Sequence, residues 1–238
     1  MPKKTYIRDM FNDIASDYDP LNHLMSMNVD KHWRKKALKQ FITDKPQNIL
    51  DVACGTGDFS IAIAKSMSEG SHLTGVDLSE GMLEVMKKKV EAANLSDKIS
   101  IETGDCENLR FEDNTFDAVT VAFGVRNFEN LEAGLCEIQR VLKPQGKAVI
   151  LELSTPANPI IAWFYKIYFV HIMPLIGGSI SKNKGAYKYL PASVLRFPKK
   201  QEFINILSRC GFTAISHKAL TFGICRMYVA QKPTKYNL

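Results

Sequence analysis

Eleven consecutive residues constrain this chain more than any others: Asn48-Ile49-Leu50-Asp51-Val52-Ala53-Cys54-Gly55-Thr56-Gly57-Asp58. An apolar, β-prone run carries an acid near its end and breaks into a Gly-x-Gly turn. Phe59-Ser60-Ile61-Ala62-Ile63-Ala64 then reads as helix. Strand, glycine turn and helix in that order open a doubly wound nucleotide-binding sheet. Glycine serves where a side chain would hold a ligand away from the backbone. The loop is a poor phosphate cradle, because Ser60 stands where a dinucleotide fold wants a third glycine for close helix packing.

Around that motif the chain alternates. Strands are expected at 48–53, 72–77, 98–102, 116–122 and 146–152, with helices at 58–67, 80–93 and 131–142. Ser79 is placed to cap the helix that starts at Glu80, and Lys143-Pro144-Gln145-Gly146 to close the one before the fifth strand. Such alternation predicts an α/β fold, a parallel sheet covered by helices on both faces. Ahead of it, Phe11, Ile14, Ala15 and Tyr18 recur at helical spacing within a helix over 5–18 that Asp19-Pro20 ends. A second helix runs from Asp30, its N-cap, through Phe41, and Lys45-Pro46 marks its exit. The rhythm breaks after Glu152. Residues 156–199 are apolar and aromatic first, then basic; a helix at 201–210 and strands at 213–218 and 225–231 follow. Two strands so close make a hairpin at the sheet edge, with the last strand antiparallel to its neighbours.

At 238 residues, the chain suffices for one large domain spanning 1–238. Within it, 1–46 reads as a helical cap, 47–152 as the cofactor half, 153–200 as a substrate-side insertion, and 201–238 as the last helix and edge strands. The five cysteines are scattered without a Cys-x-x-Cys pair, so neither a metal site nor a disulfide framework is expected. Met1-Pro2-Lys3-Lys4-Thr5 leads into an amphipathic stretch and no signal peptide is visible, which favours a cytoplasmic location. A net charge of +6 admits nucleic acid, anionic lipid or acidic substrates. Basic clusters at 31–36, 87–89 and 182–200 form no stripe interleaved with aromatics, which argues against nucleic acid.

In open α/β sheets, ligands bind beyond the carboxyl ends of the strands, near the reversal of strand order. Those ends deliver Asp51 and the 53–58 loop, Asp77, Gly104-Asp105-Cys106, Phe123-Gly124-Val125-Arg126-Asn127 and Glu152-Leu153-Ser154. Asp77 lies about 20 residues past the glycines, where an acid grips ribose hydroxyls. A ribose-gripping acid beside a loop not built for pyrophosphate favours a nucleoside without phosphates, S-adenosylmethionine foremost. Asp105 then accepts from the adenine amine and the Cys106 backbone serves a ring nitrogen. Asp51 and the Gly55 carbonyl lie near the amino group of the methionine moiety, with Thr56 at its amino-acid end and Gly57 completing the turn.

LDVACGTGD, GVDLSEGML, GDCENLRFEDNTFDAVTVAFGVRNF, RVLKPQG and ILELSTP resemble class I S-adenosylmethionine-dependent methyltransferases. More narrowly, they are similar to the UbiE/MenG family, the C-methyltransferases of ubiquinone and menaquinone synthesis. FNDIASDYDPLNHLMSMNVDKHWRKK and the segments Tyr187–Leu190 and Ser193–Pro198 extend the likeness over nearly the whole chain. The resemblance implies a Rossmann-like, mostly parallel seven-stranded sheet. It assigns cofactor contacts to Thr56, Asp77 and the Asp105–Cys106 pair. Two positions depart: Ala122 stands where some members have serine, and Cys106 where alanine is common. The implied reaction is ring methylation of a demethylated polyprenyl quinol, demethylmenaquinol to menaquinol first and the benzenoid ubiquinone precursor or another lipophilic phenol second. A nicotinamide oxidoreductase and a non-catalytic scaffold are the rival classes, and the missing third glycine counts against the former.

A quinol ring carbon becomes nucleophilic once the neighbouring hydroxyl is deprotonated. Arg126 suits stabilisation of that phenolate and Asn127 suits fixing the ring oxygen. Arginine is no base at neutral pH, so a water relayed to a carboxylate takes the proton. On this reading Arg126→Ala spares donor binding and cuts turnover. His23, His32, His171 and His217 are placed by no spacing argument. The apolar run 159–176, interrupted by Lys166 and His171, is shorter than the ~20 residues a spanning helix needs. A lid or groove for the polyprenyl chain, in contact with the membrane surface, fits it; a helix packed on the sheet or at a homodimer interface is the competing reading.

Overall fold

The computed structural model describes residues 3–26, 28–167 and 184–234. Helices α1 (Lys4–Ile14), α2 (Tyr18–Met25) and α3 (Val29–Leu38) precede β1 (Asn48–Val52), α4 (Asp58–Ala64), β2 (His72–Asp77), α5 (Glu80–Ala92) and β3 (Ile99–Thr103). Next come β4 (Phe116–Ala122), α6 (Leu131–Val141) and β5 (Leu142–Leu153). After them lie α7 (Pro159–Ile167), α8 (Lys184–Arg196), α9 (Lys200–Arg209), β6 (Thr213–Leu220) and β7 (Cys225–Gln231).

The seven strands form one sheet in the order β3-β2-β1-β4-β5-β7-β6. β1 to β5 pair in parallel. β7 runs antiparallel to both β5 and β6. The expected hairpin exists, with its second strand inside the sheet and its first at the edge. Strand order reverses between β1 and β4, and a ligand crevice opens where chain crossovers diverge in this way.

Side chains alternate along each strand, so the sheet has two cores. Leu50, Val121 and Ile150 pack against Leu135 and Ile138 of α6 and Phe203 and Leu207 of α9. Ile49, Leu73 and Val149 pack on the other face against Trp33 of α3, Ile63 of α4 and Met86 of α5. Asp51 shares the face of Ile49 and therefore points toward α3 and α4. Across the carboxyl ends lies α1, whose Ile7, Met10 and Ile14 pack with Met82 and Tyr189.

Four local expectations change. The N-terminal helix breaks after Ile14, and Asp19-Pro20 lies in the first turn of α2 instead of ending a helix; proline is tolerated there because the first-turn N–H groups have no helical partner. Asp30 is not an N-cap. Asn28, with φ of 60°, takes the boundary, and Asp30 is buried within the first turn. That helix ends at Leu38, short of Phe41. Strand β5 begins at Leu142: Phe116 pairs with Leu142 and Ala118 with Lys147, so residues 143–146 form a bulge opposite Asp117 instead of a closing loop. Ser79 does cap α5, its hydroxyl accepting from the Met82 N–H at 3.2 Å. Of the apolar run 159–176, Pro159–Ile167 is helical and residues 168–176 lie outside the described residues. No helix among the described residues is long and apolar enough to cross a membrane.

Candidate active site

Two cavities open at the strand reversal, one of about 380 Å³ and one of about 80 Å³. Tyr18, Ala53, Gly55, Ala122 and Phe123 line both and form a neck between them. Ala53 (φ 52°) and Phe123 (φ 63°) hold left-handed backbone there, a conformation that non-glycine residues adopt mainly where the surrounding structure enforces it.

The first loop is built around two carboxylates. Asp51 is 1% exposed and accepts from the hydroxyls of Ser60 at 2.5 Å and Thr120 at 2.7 Å. Ser60, read from sequence as an absent glycine, is thus present to hold Asp51. Burial pushes the Asp51 carboxyl up to about 6, against the hydroxyl bonds that lower it. Asp77 receives the Gly55 N–H on one oxygen at 2.8 Å and the Ser79 N–H on the other at 2.9 Å. Each oxygen keeps a further lone pair, and the side chain lines the smaller cavity. At Gly55 the backbone has φ of +56° and a Cβ would meet nothing within 4 Å, so the conformation demands glycine. Gly57 differs: with φ of +80°, its Cβ would also run into Met86, which makes it a turn and packing residue. Thr56 lines the larger cavity, but its hydroxyl donates to Asp19 at 2.5 Å.

The raised Asp51 value yields a test. A carboxyl whose folded value, about 6, exceeds the ordinary 3.8 stabilises fully below 3.8 and loses that contribution as pH rises through 6. The deficit at pH 8 is about 3 kcal/mol from the difference between those values. Asp51→Asn should therefore melt several degrees above the parent at pH 8, with a much smaller gain at pH 4.5. A gain that is equal at both pH values would refute the argument.

Asp105 and Cys106 line the smaller cavity with Asp77. Asp105 bonds the Lys4 ammonium of α1 at 2.6 Å, which ties the helical cap to the pocket. Burial pushes the Cys106 thiol well above its ordinary value, so it is no nucleophile.

Arg126 and Asn127 follow β4 in a short turn, Val125–Asn127, and face different cavities: Arg126 the larger and Asn127 the smaller. The Arg126 guanidinium is buried. Its Nη1 lies 2.9 Å from Glu152 Oε1 and also donates to the Phe123 carbonyl, while Nε donates to Ser193 at 3.3 Å. The Arg126 N–H donates to Glu152 Oε2 at 3.1 Å. Asn127 accepts from the Tyr189 hydroxyl at 3.0 Å.

Sequence reasoning missed what α2 and α3 bring. Tyr18, counted as a core position, stands at the neck, and burial pushes its phenol up. Below it lies a cluster of charges. His23 bridges Asp30 at 3.2 Å and Asp58 at 3.0 Å. Arg34 lies 2.5 Å from Asp30, and Lys89 bonds Asp19 at 2.6 Å and also Asp58. His23, Asp30 and Asp58 are spaced closely enough to share a metal ion. Arg34 and Lys89 already balance those carboxylates, so the cluster holds together as ion pairs. The polar sequence signal, KHWRKK after NHLMSMNVD, carries no periodicity that would expose this meeting.

A model of the ubiE/COQ5 methyltransferase family matches residues 1–232. The chain is 45% identical to a demethylmenaquinone methyltransferase of Bacteroides fragilis over 230 residues, covering 97% of this chain and 94% of the relative. It is equally 45% identical to the ubiquinone/menaquinone biosynthesis C-methyltransferase UbiE of Geobacter sulfurreducens, covering 96% and 89%. Among solved structures, a SAM-dependent methyltransferase from Aquifex aeolicus superposes with a TM-score of 0.61 at 18% identity, covering 83% of this chain and 88% of that one, a likeness of fold. The seven-stranded mixed sheet, the crevice at its strand reversal and the match over almost the full length agree: this chain belongs to the ubiE/COQ5 methyltransferase family.

Proposed function

We propose that the protein transfers the methyl group of S-adenosylmethionine to a ring carbon of a demethylated polyprenyl quinol, with demethylmenaquinol as the preferred acceptor. The observation that carries this reading is the larger cavity. It opens from the neck beside the Gly-x-Gly loop and is walled by Trp33, Phe59, Phe123, Ile161, Tyr165 and Ile224. Its size and apolar walls exceed what the donor's methionine tail requires, and they suit a fused aromatic ring.

The donor's adenosine occupies the smaller cavity, where Asp77 accepts from the ribose hydroxyls, Asp105 from the adenine amine, and the Cys106 backbone serves the ring. The sulfonium sits at the neck, with Gly55 and Asp51 near the ammonium. Methyl transfer is an in-line displacement, for which orientation alone is worth ~7–11 kcal/mol. The chain supplies that orientation through the cap helices α1 to α3 on the donor side and α7 and α8 on the acceptor side.

The acceptor's tail leaves past α7 and α8. Ile160, Trp163, Leu195 and Phe222 stand exposed on the elements that supply Ile161, Tyr165, Leu190 and Ile224 to the cavity wall. We assign this rim to peripheral contact with the membrane surface on which such a quinol resides.

The test is a methyl-transfer assay with demethylmenaquinol and its benzenoid counterpart, both chemically reduced. We expect faster transfer to the naphthoquinol. Transfer to neither quinol would end the proposal. Faster transfer to the benzenoid ring would favour the second activity carried in the name of the Geobacter relative.

A further inference from the structure

We infer that Arg34 is the clamp for the donor's α-carboxylate, a positioning residue that orients the methionine tail. The inference rests on the reading that this tail crosses the neck into the larger cavity. The tail ends in an ammonium and a carboxylate. In a half-dry cavity, each needs a charged or hydrogen-bonding partner.

The larger cavity is lined by two cations, Arg34 and Arg126, and by three acids, Asp30, Asp51 and Asp58. The acids suit the ammonium. Of the cations, Arg126 already has a carboxylate of its own: Glu152 neutralises it, and Ser193 and the Phe123 carbonyl fix its Nε and Nη1. Thr56, the residue that sequence alone assigns to the amino-acid end, gives its hydroxyl proton to Asp19. Arg34 is different. Its Nη1 lies 2.5 Å from Asp30 and 3.5 Å from Asp58. Its Nε is buried and has no hydrogen-bond partner among the described residues. A buried donor left unpaired is costly and rare in a folded protein, which marks this N–H as reserved for a ligand.

Position agrees with chemistry. Asp58, within reach of Arg34, directly follows the Gly-x-Gly turn. The Arg34 guanidinium also lies 5.7 Å from the centre of the Phe123 ring, and Phe123 belongs to the neck. The planar fork is fixed on one side by Asp30, and Arg34 lines the cavity that takes the tail. An arginine held this way recognises a carboxylate through direction as well as charge.

Calorimetric titration with S-adenosylmethionine and with its decarboxylated analogue tests the assignment. The parent should prefer the carboxylated donor by roughly 10- to 100-fold, the range of one charged hydrogen bond. Arg34→Gln should erase that preference, with affinity for the decarboxylated analogue unchanged within about 2-fold. Arg34→Lys, which leaves a cation for Asp30 but no Nε–H, covers the case in which Arg34→Gln does not fold. It should lose most of the preference. A preference retained in full by either folded variant overturns the assignment and leaves the proposed reaction standing. A parent that binds both donors equally overturns it as well. A parent that binds neither overturns the proposed function with it.

Discussion

Arg126→Ala should lose the fold's stability before it loses any chemistry, with a fall in Tm on the order of 10 °C. Glu152 is wholly buried, and Arg126 is its ion-pair partner. Removing one member of a buried pair strands the other charge, at about 3–5 kcal/mol. For a chain of this length each kcal/mol shifts Tm by roughly 2–4 °C. The reading from sequence, that Arg126→Ala spares donor binding and cuts turnover, did not include Glu152. The informative variant is therefore the pair Arg126→Met with Glu152→Gln. The glutamine oxygen still accepts a backbone N–H, of which Glu152 holds two, from Arg126 and Leu153. Neutral replacement of a buried ion pair is commonly tolerated, so the double variant should recover most of the lost Tm. If it melts near the parent and methylates at the parent rate, Arg126 has no part in the reaction. A single variant melting within about 2 °C of the parent would remove the ion-pair argument.

Asp77→Ala should lower donor affinity by about 10²- to 10⁴-fold, with the fold retained. Two ribose hydroxyls on one carboxylate make two charged hydrogen bonds, each worth about 1.5–3 kcal/mol. Asp77 is also the anchor of the Gly-x-Gly loop, through the Gly55 N–H. Its loss therefore relaxes the loop that shapes the neck. Calorimetry with S-adenosylhomocysteine reads the affinity and circular dichroism the fold. An affinity within 10-fold of the parent, in a folded variant, would move the ribose away from Asp77.

The sheet was legible because its signals are local. The β-prone runs of β1 and β2, the glycine turn and the Ser79 cap each depend on neighbours a few residues apart. So were the acids at strand ends, since topology assigns the carboxyl ends of the parallel strands β1 to β5 to one rim. What escaped was long-range pairing. Ser60 looks like a defect in a glycine motif until Asp51 is seen beneath it. Arg126 looks like a free catalytic cation until Glu152, 26 residues away, is brought alongside. Asp30 has the composition of an N-cap, but Arg34 and Ser26 draw it into the interior. Pro20 reads as a stop in any helix entered before it, and only the break after Ile14 turns it into a start. For Asp51 and Arg126 a buried charge satisfied by a partner elsewhere in the chain outweighed the local reading.

The insertion of β7 between β5 and β6 also governs how the chain can be made. During synthesis β6 emerges first yet has no place on the sheet until β7 follows it. Until residue 231 clears the ribosome, the free edge of β5 must stay open, a template for other nascent strands. A chain cut short before Cys225 would thus be an adhesive product, well beyond a merely shortened one.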